Sequence, residues 1–147
     1  MKNKYIVNLD EVLLSDLELV GGKNASLGEM IQNLGELGVN IPGGFALTVD
    51  AYWEFISFNK LDKTIRSLIK GMKKDDLVSL RKTGLEIREI IRNGEWPEDL
   101  KEEIKERYTK LSQKYGSDIT DVAVRSSATA EDLPDASFAG QQETYLN

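Results

Sequence analysis

The sequence predicts an α+β chain, and three observations lead there. Short runs rich in β-branched and aromatic residues lie near both ends. Between them, apolar residues recur at three- and four-residue steps through long charged stretches, the period of an amphipathic helix. Clusters of glycine, proline and asparagine fall where these runs should stop. The 147 residues suit one domain, and a domain of that length buries roughly 68–70% of its unfolded surface. No internal repeat or Gly/Ser linker divides the chain.

In chain order, residues 4–8 read as a short strand. Leu27, Met30, Ile31, Leu34 and Leu37 share one face of a helix expected from Asn24 to Leu37, and Gly38 is placed to end it in a left-handed cap. Asn40-Ile41-Pro42-Gly43-Gly44 is a turn and Phe45 to Val49 a strand; Thr48 or Asp50 then caps a helix bearing Tyr52, Phe55 and Ile56. The middle is helical and charged. Asp75 or Asp76 opens a stretch with Leu77, Leu80, Ile87, Ile90 and Ile91 on one side, ending near Asn93-Gly94. Trp96-Pro97 starts another with Leu100, Ile104, Tyr108 and Leu111, ending at Tyr115-Gly116; proline suits a first helical position because an N–H there would have no partner. These apolar stripes, with Trp53 and Trp96, are expected in the core. Asp121 to Arg125 reads as a strand, and the run from Ser126 to Gly140 is too small and polar for a core element. Gln142 to Asn147 reads as a last strand. The chain stops inside it with no turn residue or polar tail behind, which predicts a fragment of a longer protein.

Composition excludes several kinds of chemistry. With no cysteine and no histidine there is no disulfide, thiolate nucleophile, histidine base or phosphohistidine on this chain. Nineteen basic against 25 acidic residues leave a net charge of −6, the wrong sign for displacing counterions from nucleic acid. No run reaches the ~18 apolar residues of a membrane span, and Asp10 and Glu11 interrupt the N-terminal apolar stretch too early for a signal peptide. The expectation is a soluble, cytoplasmic chain with no nucleic-acid and no membrane partner. Glu98, Asp99, Glu102 and Glu103 suit a solvated helix start and are assigned no metal.

Three places have the residue types for ligand chemistry. In Val20-Gly21-Gly22-Lys23-Asn24-Ala25-Ser26-Leu27-Gly28-Glu29-Met30, two glycines precede a helix whose N-terminus carries about half a positive charge, and Lys23 adds a full one. That is a chemically sensible phosphate cradle, although not a Walker A loop; the plainer alternative is a turn, a solvated lysine and a cap at Asn24. At the strand end Val122-Ala123-Val124-Arg125-Ser126-Ser127, alternation sets Val122 and Val124 on one face, with Ala123 and Arg125 on the other. Arg125 can reach two phosphate oxygens at once beside the hydroxyls of Ser126, Ser127 and Thr129; alternatively it pairs with Glu131, Asp132 or Asp135. The small-residue run through Gly140 is either a loop closing over a ligand or an ordinary surface connection.

The segment from Val20 to Met30, then Pro42-Gly43-Gly44-Phe45-Ala46, then the run from Val124-Arg125-Ser126-Ser127-Ala128-Thr129-Ala130-Glu131-Asp132 to Asn147 occur in that order. Taken together they resemble the amino-terminal nucleotide-binding domain of the phosphoenolpyruvate synthase (pyruvate, water dikinase) family. The resemblance covers essentially the whole chain. Pyruvate, phosphate dikinase and rifampicin phosphotransferase share this kind of domain; Asn24 and the Gly140-Gln141-Gln142-Glu143-Thr144 wording look most like the synthase.

The resemblance implies the first lobe of an ATP-grasp fold with a helical insert, residues 1–147 being a truncated ATP-binding domain. It implies ATP as ligand, with Lys23 and Arg125 as cationic phosphate contacts, Gly140 in a loop over the phosphates and Thr144 near the nucleotide. It also implies Mg2+ held by acids outside this chain, and no catalytic residue within it. In the family, ATP phosphorylates a histidine on a swivelling domain, and the group passes to pyruvate; ATP, pyruvate and water become AMP, phosphate and phosphoenolpyruvate. The implied partners are ATP and the C-terminal domains of a parent enzyme, without which the chain is expected to be inactive. The alternatives are the same domain from rifampicin phosphotransferase or pyruvate, phosphate dikinase, and, from another class, a free-standing helical interaction module.

Overall fold

Ile6–Asn8 forms β1, which gives way at once to a 3-10 turn over Leu9–Glu11. It pairs antiparallel with β2 (Phe45–Leu47), Val7 opposite Ala46. The computed structural model describes residues 5–35, 37–73, 75–129 and 144–146. These fall into two compact units, one of residues 1–51 and 102–147, the other of residues 52–101 inserted between those halves.

In the first unit a second 3-10 turn, Leu14–Asp16, leads into the single turn α1 (Leu17–Val20), and α2 (Gly22–Gly35) follows after Gly21. α2 begins two residues before Asn24 and ends two before Leu37, the bounds periodicity predicts. Its end has the expected chemistry. Gly38 is left-handed (φ 81°), its N–H reaches the Gly35 carbonyl at 3.1 Å, and the Val39 N–H reaches Leu34 at 3.2 Å, the paired bonds of a Schellman cap.

Val7, Leu9, Val12, Val20, Ala25 and Ala46 form the core, with Leu17, Leu19, Leu27 and Ile31 packed around them. α2 meets the Leu9–Val12 backbone through Gly28, where a Cβ would strike the Val12 carbonyl oxygen and lie 2.9 Å from that of Leu9. One turn on, Gln32 Nε2 donates to the carbonyls of Asp10 (3.1 Å) and Val12 (2.8 Å). The helix is therefore held against this turn by both a missing side chain and a two-carbonyl clamp.

Thr48 ends the strand rather than continuing it. Its Oγ1 accepts the Ala51 N–H at 3.3 Å, so Val49 opens α3 (Val49–Phe58) instead of closing β2. The Pro97 carbonyl accepts the Lys101 N–H at 3.0 Å, which sets Pro97 one residue ahead of α6 (Glu98–Lys114). Near the end of α6, fully buried Ser112 accepts the Thr120 N–H on its Oγ (3.2 Å), and the Tyr108 hydroxyl donates to the Thr120 carbonyl (2.7 Å). These bonds pin the approach to β3 (Ala123–Arg125), which pairs antiparallel with β4 (Thr144–Leu146), Arg125 opposite Thr144. Every residue of β3 and β4 is exposed. Strand alternation thus does not sink Val124 into a core; it is 61% exposed, because the described residues lay no second layer over this ribbon.

The second unit is wholly helical: the rest of α3, α4 (Asp62–Gly71), α5 (Leu77–Arg92) and the start of α6. α4 is an element that the periodicity reading of the middle did not separate. Asp76 caps α5 by accepting the Val78 N–H at 2.9 Å. Phe55, Ile56 and Leu100 are buried, and Asn59 clamps Glu95 in both directions at 2.8 Å. The expected core positions are corrected here. Trp53, Trp96 and Leu80 are about half exposed, with Leu77 at 82%. The Trp96 ring leans on Phe55 at 5.1 Å between centroids and still keeps nearly half of its surface in solvent. The stripe on α5 is covered unevenly: α4 packs against this helix, and Ile87, Ile90 and Ile91 are part-buried while Leu77 and Leu80 at its start stay exposed.

The close approach at Gly28 makes a testable contrast. Gly28→Ala should lower unfolding free energy by about 2 kcal/mol through overpacking. Gly84→Ala, where a Cβ meets nothing within 4 Å, should raise it by up to about 1 kcal/mol through helix propensity. Urea denaturation followed by circular dichroism reads both.

Candidate functional site

The junction of α1 and α2 is built around Gly21. Its φ of +82° lies where L-residues are strained and glycine is not, and its N–H closes α1 on the Leu17 carbonyl at 2.8 Å. The turn also has no room for a side chain. A Cβ on Gly21 would strike Ser127 Oγ and come within 3.0 Å of the Ala128 carbonyl carbon and oxygen. The stretch just beyond β3 therefore runs against the mouth of α2. The Ser127 hydroxyl donates to the Val20 carbonyl at 3.0 Å, and Asn24 Nδ2 donates to the same oxygen at 2.8 Å. The Gly22 N–H points to the Ala128 carbonyl at 3.4 Å.

This close approach brings the two cation-bearing segments to one depression of about 280 Å³. Lys23 and Arg125, a hundred residues apart in the chain, both line it. Ser26 and Ser126 supply hydroxyls, Asn24 an amide, and Leu27 and Met30 its apolar part. Lys23 is half-buried and Arg125 exposed. With the positive end of the α2 dipole at the same place, the depression holds donors and positive charge, a combination suited to a multiply charged anion.

Thr144 stands opposite Arg125 in the β3–β4 pair, and directly opposed residues of antiparallel strands share a face, but Thr144 does not itself line the depression. Gly140 lies outside the described residues, as do Glu131, Asp132 and Asp135, the acids considered as ion-pair partners for Arg125. The Pro42-Gly43-Gly44 turn serves as framework: Gly43 donates its N–H to the Tyr115 hydroxyl at 2.7 Å, and the Gly44 carbonyl accepts the Leu9 N–H at 3.0 Å. Among the described residues no group of three or more His, Cys, Asp or Glu side chains gathers as a metal site, and no helix is long and apolar enough to cross a membrane. Ser26 and Met30 are lining residues that motif reading did not single out; they sit one and two turns along α2 from Lys23, a spacing that signals a shared face.

The sequence matches the pyruvate phosphate dikinase AMP/ATP-binding domain over residues 17–147. The chain belongs to this family. Both segments that form the depression lie inside the matched stretch. Named relatives agree with the assignment. The chain is 60% identical to a phosphoenolpyruvate synthase of Aquifex aeolicus over 99% of its own length and 17% of the relative's. It is 51% identical to that of Pseudomonas aeruginosa over 98% and 18%, and 48% identical to that of Escherichia coli over 91% and 17%. The chain thus spans about a sixth of the length of these relatives of the dikinase-domain family.

The tight turn in this family member can be tested directly. Gly21→Ala should cost about 1–3 kcal/mol, combining backbone strain with the collision at Ser127, measurable as a lowered midpoint in thermal unfolding.

Proposed function

We propose that residues 1–147 are the N-terminal part of the ATP-binding domain of a longer phosphotransferase, the first lobe of an ATP-grasp fold. The whole enzyme would convert ATP, pyruvate and water to AMP, phosphate and phosphoenolpyruvate through a phosphohistidine on a domain outside this chain. The observation that carries this reading is the convergence of Lys23 and Arg125 on one depression at the mouth of α2. The names of the relatives favour the synthase over an enzyme with an antibiotic acceptor. The same reading places the enzyme in the cytoplasm.

Phosphoryl transfer asks a protein mainly for position and charge compensation. Arg125 presents a planar fork that matches two phosphate oxygens, whereas Lys23 offers a compact charge that adapts to position. Ser26 and Ser126 add neutral donors around them, with Thr144 proposed near the nucleotide. At about 280 Å³ the depression lies at the small end of ligand pockets, which run from ~300 to ~1,000 Å³. It suits a polyphosphate and leaves the base and sugar to residues elsewhere, Gly140 being proposed over the phosphates. Its donors fit an anion and not a cation, so Mg2+ is assigned to acids outside this chain, where it would neutralise charge on the phosphate oxygens.

In the full-length protein, Lys23→Ala and Arg125→Ala should each reduce ATP-dependent phosphoenolpyruvate formation by ~100-fold or more, the scale of losing a charge-stabilising donor, with circular dichroism unchanged. Loss of the fold along with activity would assign these residues a structural role instead. The 147-residue chain alone should form no phosphoenolpyruvate in an isotope-exchange assay; robust turnover would overturn the division of labour.

A further inference from the structure

Two cations a hundred residues apart grip one anion only if something fixes the distance between them. The strand bearing Arg125 is poorly placed to do this by itself. β3 has three residues, all exposed, and among the described residues pairs only with β4; an isolated two-stranded ribbon is marginal in water. Its anchors lie beyond its ends. On the near side Thr120 is tied to Ser112 and Tyr108 of α6. On the far side, two residues past Arg125, Ser127 Oγ donates to the Val20 carbonyl, the last carbonyl of α1 and three residues before Lys23. Gly21 leaves open the space that the hydroxyl occupies.

We propose that Ser127 is a positioning residue for ATP: its hydrogen bond to Val20 holds the tip of β3 at a set spacing from the mouth of α2, and so holds Arg125 relative to Lys23. This rests on the nucleotide reading of the depression. Ser127 is distinct in role from its neighbour. Ser126 lines the depression, whereas Ser127 does not and spends its hydroxyl on the backbone. Small errors in such spacing matter, because a displacement of about 1 Å can cost ~100-fold in a reaction that depends on alignment.

The test is a double-mutant cycle in the full-length protein, with ATP affinity in the presence of Mg2+ measured by calorimetry for wild type, Lys23→Ala, Ser127→Ala and the double variant. Ser127→Ala should weaken ATP up to about tenfold, the scale of one hydrogen bond. In the Lys23→Ala background the same change should have an effect below about twofold, since spacing to an absent cation carries no value. Unchanged affinity in Ser127→Ala, or an equal loss in both backgrounds, overturns the proposal. Normal ATP binding by Lys23→Ala itself overturns the nucleotide reading, whatever Ser127 does. Ser127→Cys keeps the branching and fills the space that alanine would leave, with a slightly larger atom and a weaker donor, so it carries the same cycle if the alanine variant fails to fold.

Discussion

The meeting of two backbones at Gly21, with no side chain between them, is the constraint on which the rest of this site depends. Hydrogen bonds to Val20 and close contact with Ala128 are possible because position 21 carries no Cβ. The φ of +82° ends α1, and α2 begins afresh at Gly22 with Lys23 and Asn24 lining the depression. One residue thus serves three ends. It terminates a helix, lets another start, and admits the strand tip that brings in the second cation.

The electrostatics show why overall charge is a poor guide to ligand sign. The chain carries −6, yet the depression presents a lysine, an arginine and a helix N-terminus. Coulomb interactions decay within about a Debye length, ~8 Å at physiological ionic strength. The arrangement of a few groups therefore outweighs the balance of distant ones. A net acidic surface excludes promiscuous polyanion binding while leaving a small local site intact.

The sequence was most legible where local chemistry decides the outcome. Gly38 and Gly116 each follow an apolar run and each take positive φ in the structure; Thr48 and Asp76 cap helices as their side chains predict. α4 was harder, because its apolar positions, Ile65, Leu68 and Ile69, are few and embedded among charges. Trp53, Trp96 and Leu77 depart from the expected core for a different reason. Hydrophobicity states what a side chain would prefer to meet, and only tertiary structure states whether anything is there. The site divided similarly. Lys23 and Arg125 each have the charge and the setting that suit an anion, but no spacing within one sequence encodes that they line one depression; the family resemblance supplies that expectation. The partner of Gly21 was invisible, since Ser126 and Ser127 are identical in type and differ only in direction.

The insertion of residues 52–101 between the two halves of the first unit has a consequence for biosynthesis. A ribosome releases the lysine's half early and the arginine's half only after the helical segment has emerged, with domains forming from the N-terminus onward at ~5–20 residues per second. Loop-closure entropy rises only logarithmically with length, so prior collapse of the intervening helices would shorten the search at modest thermodynamic gain. The two cation-bearing segments therefore cannot meet until the helical segment between them has emerged, and until then the growing polypeptide carries only the lysine's side of the depression.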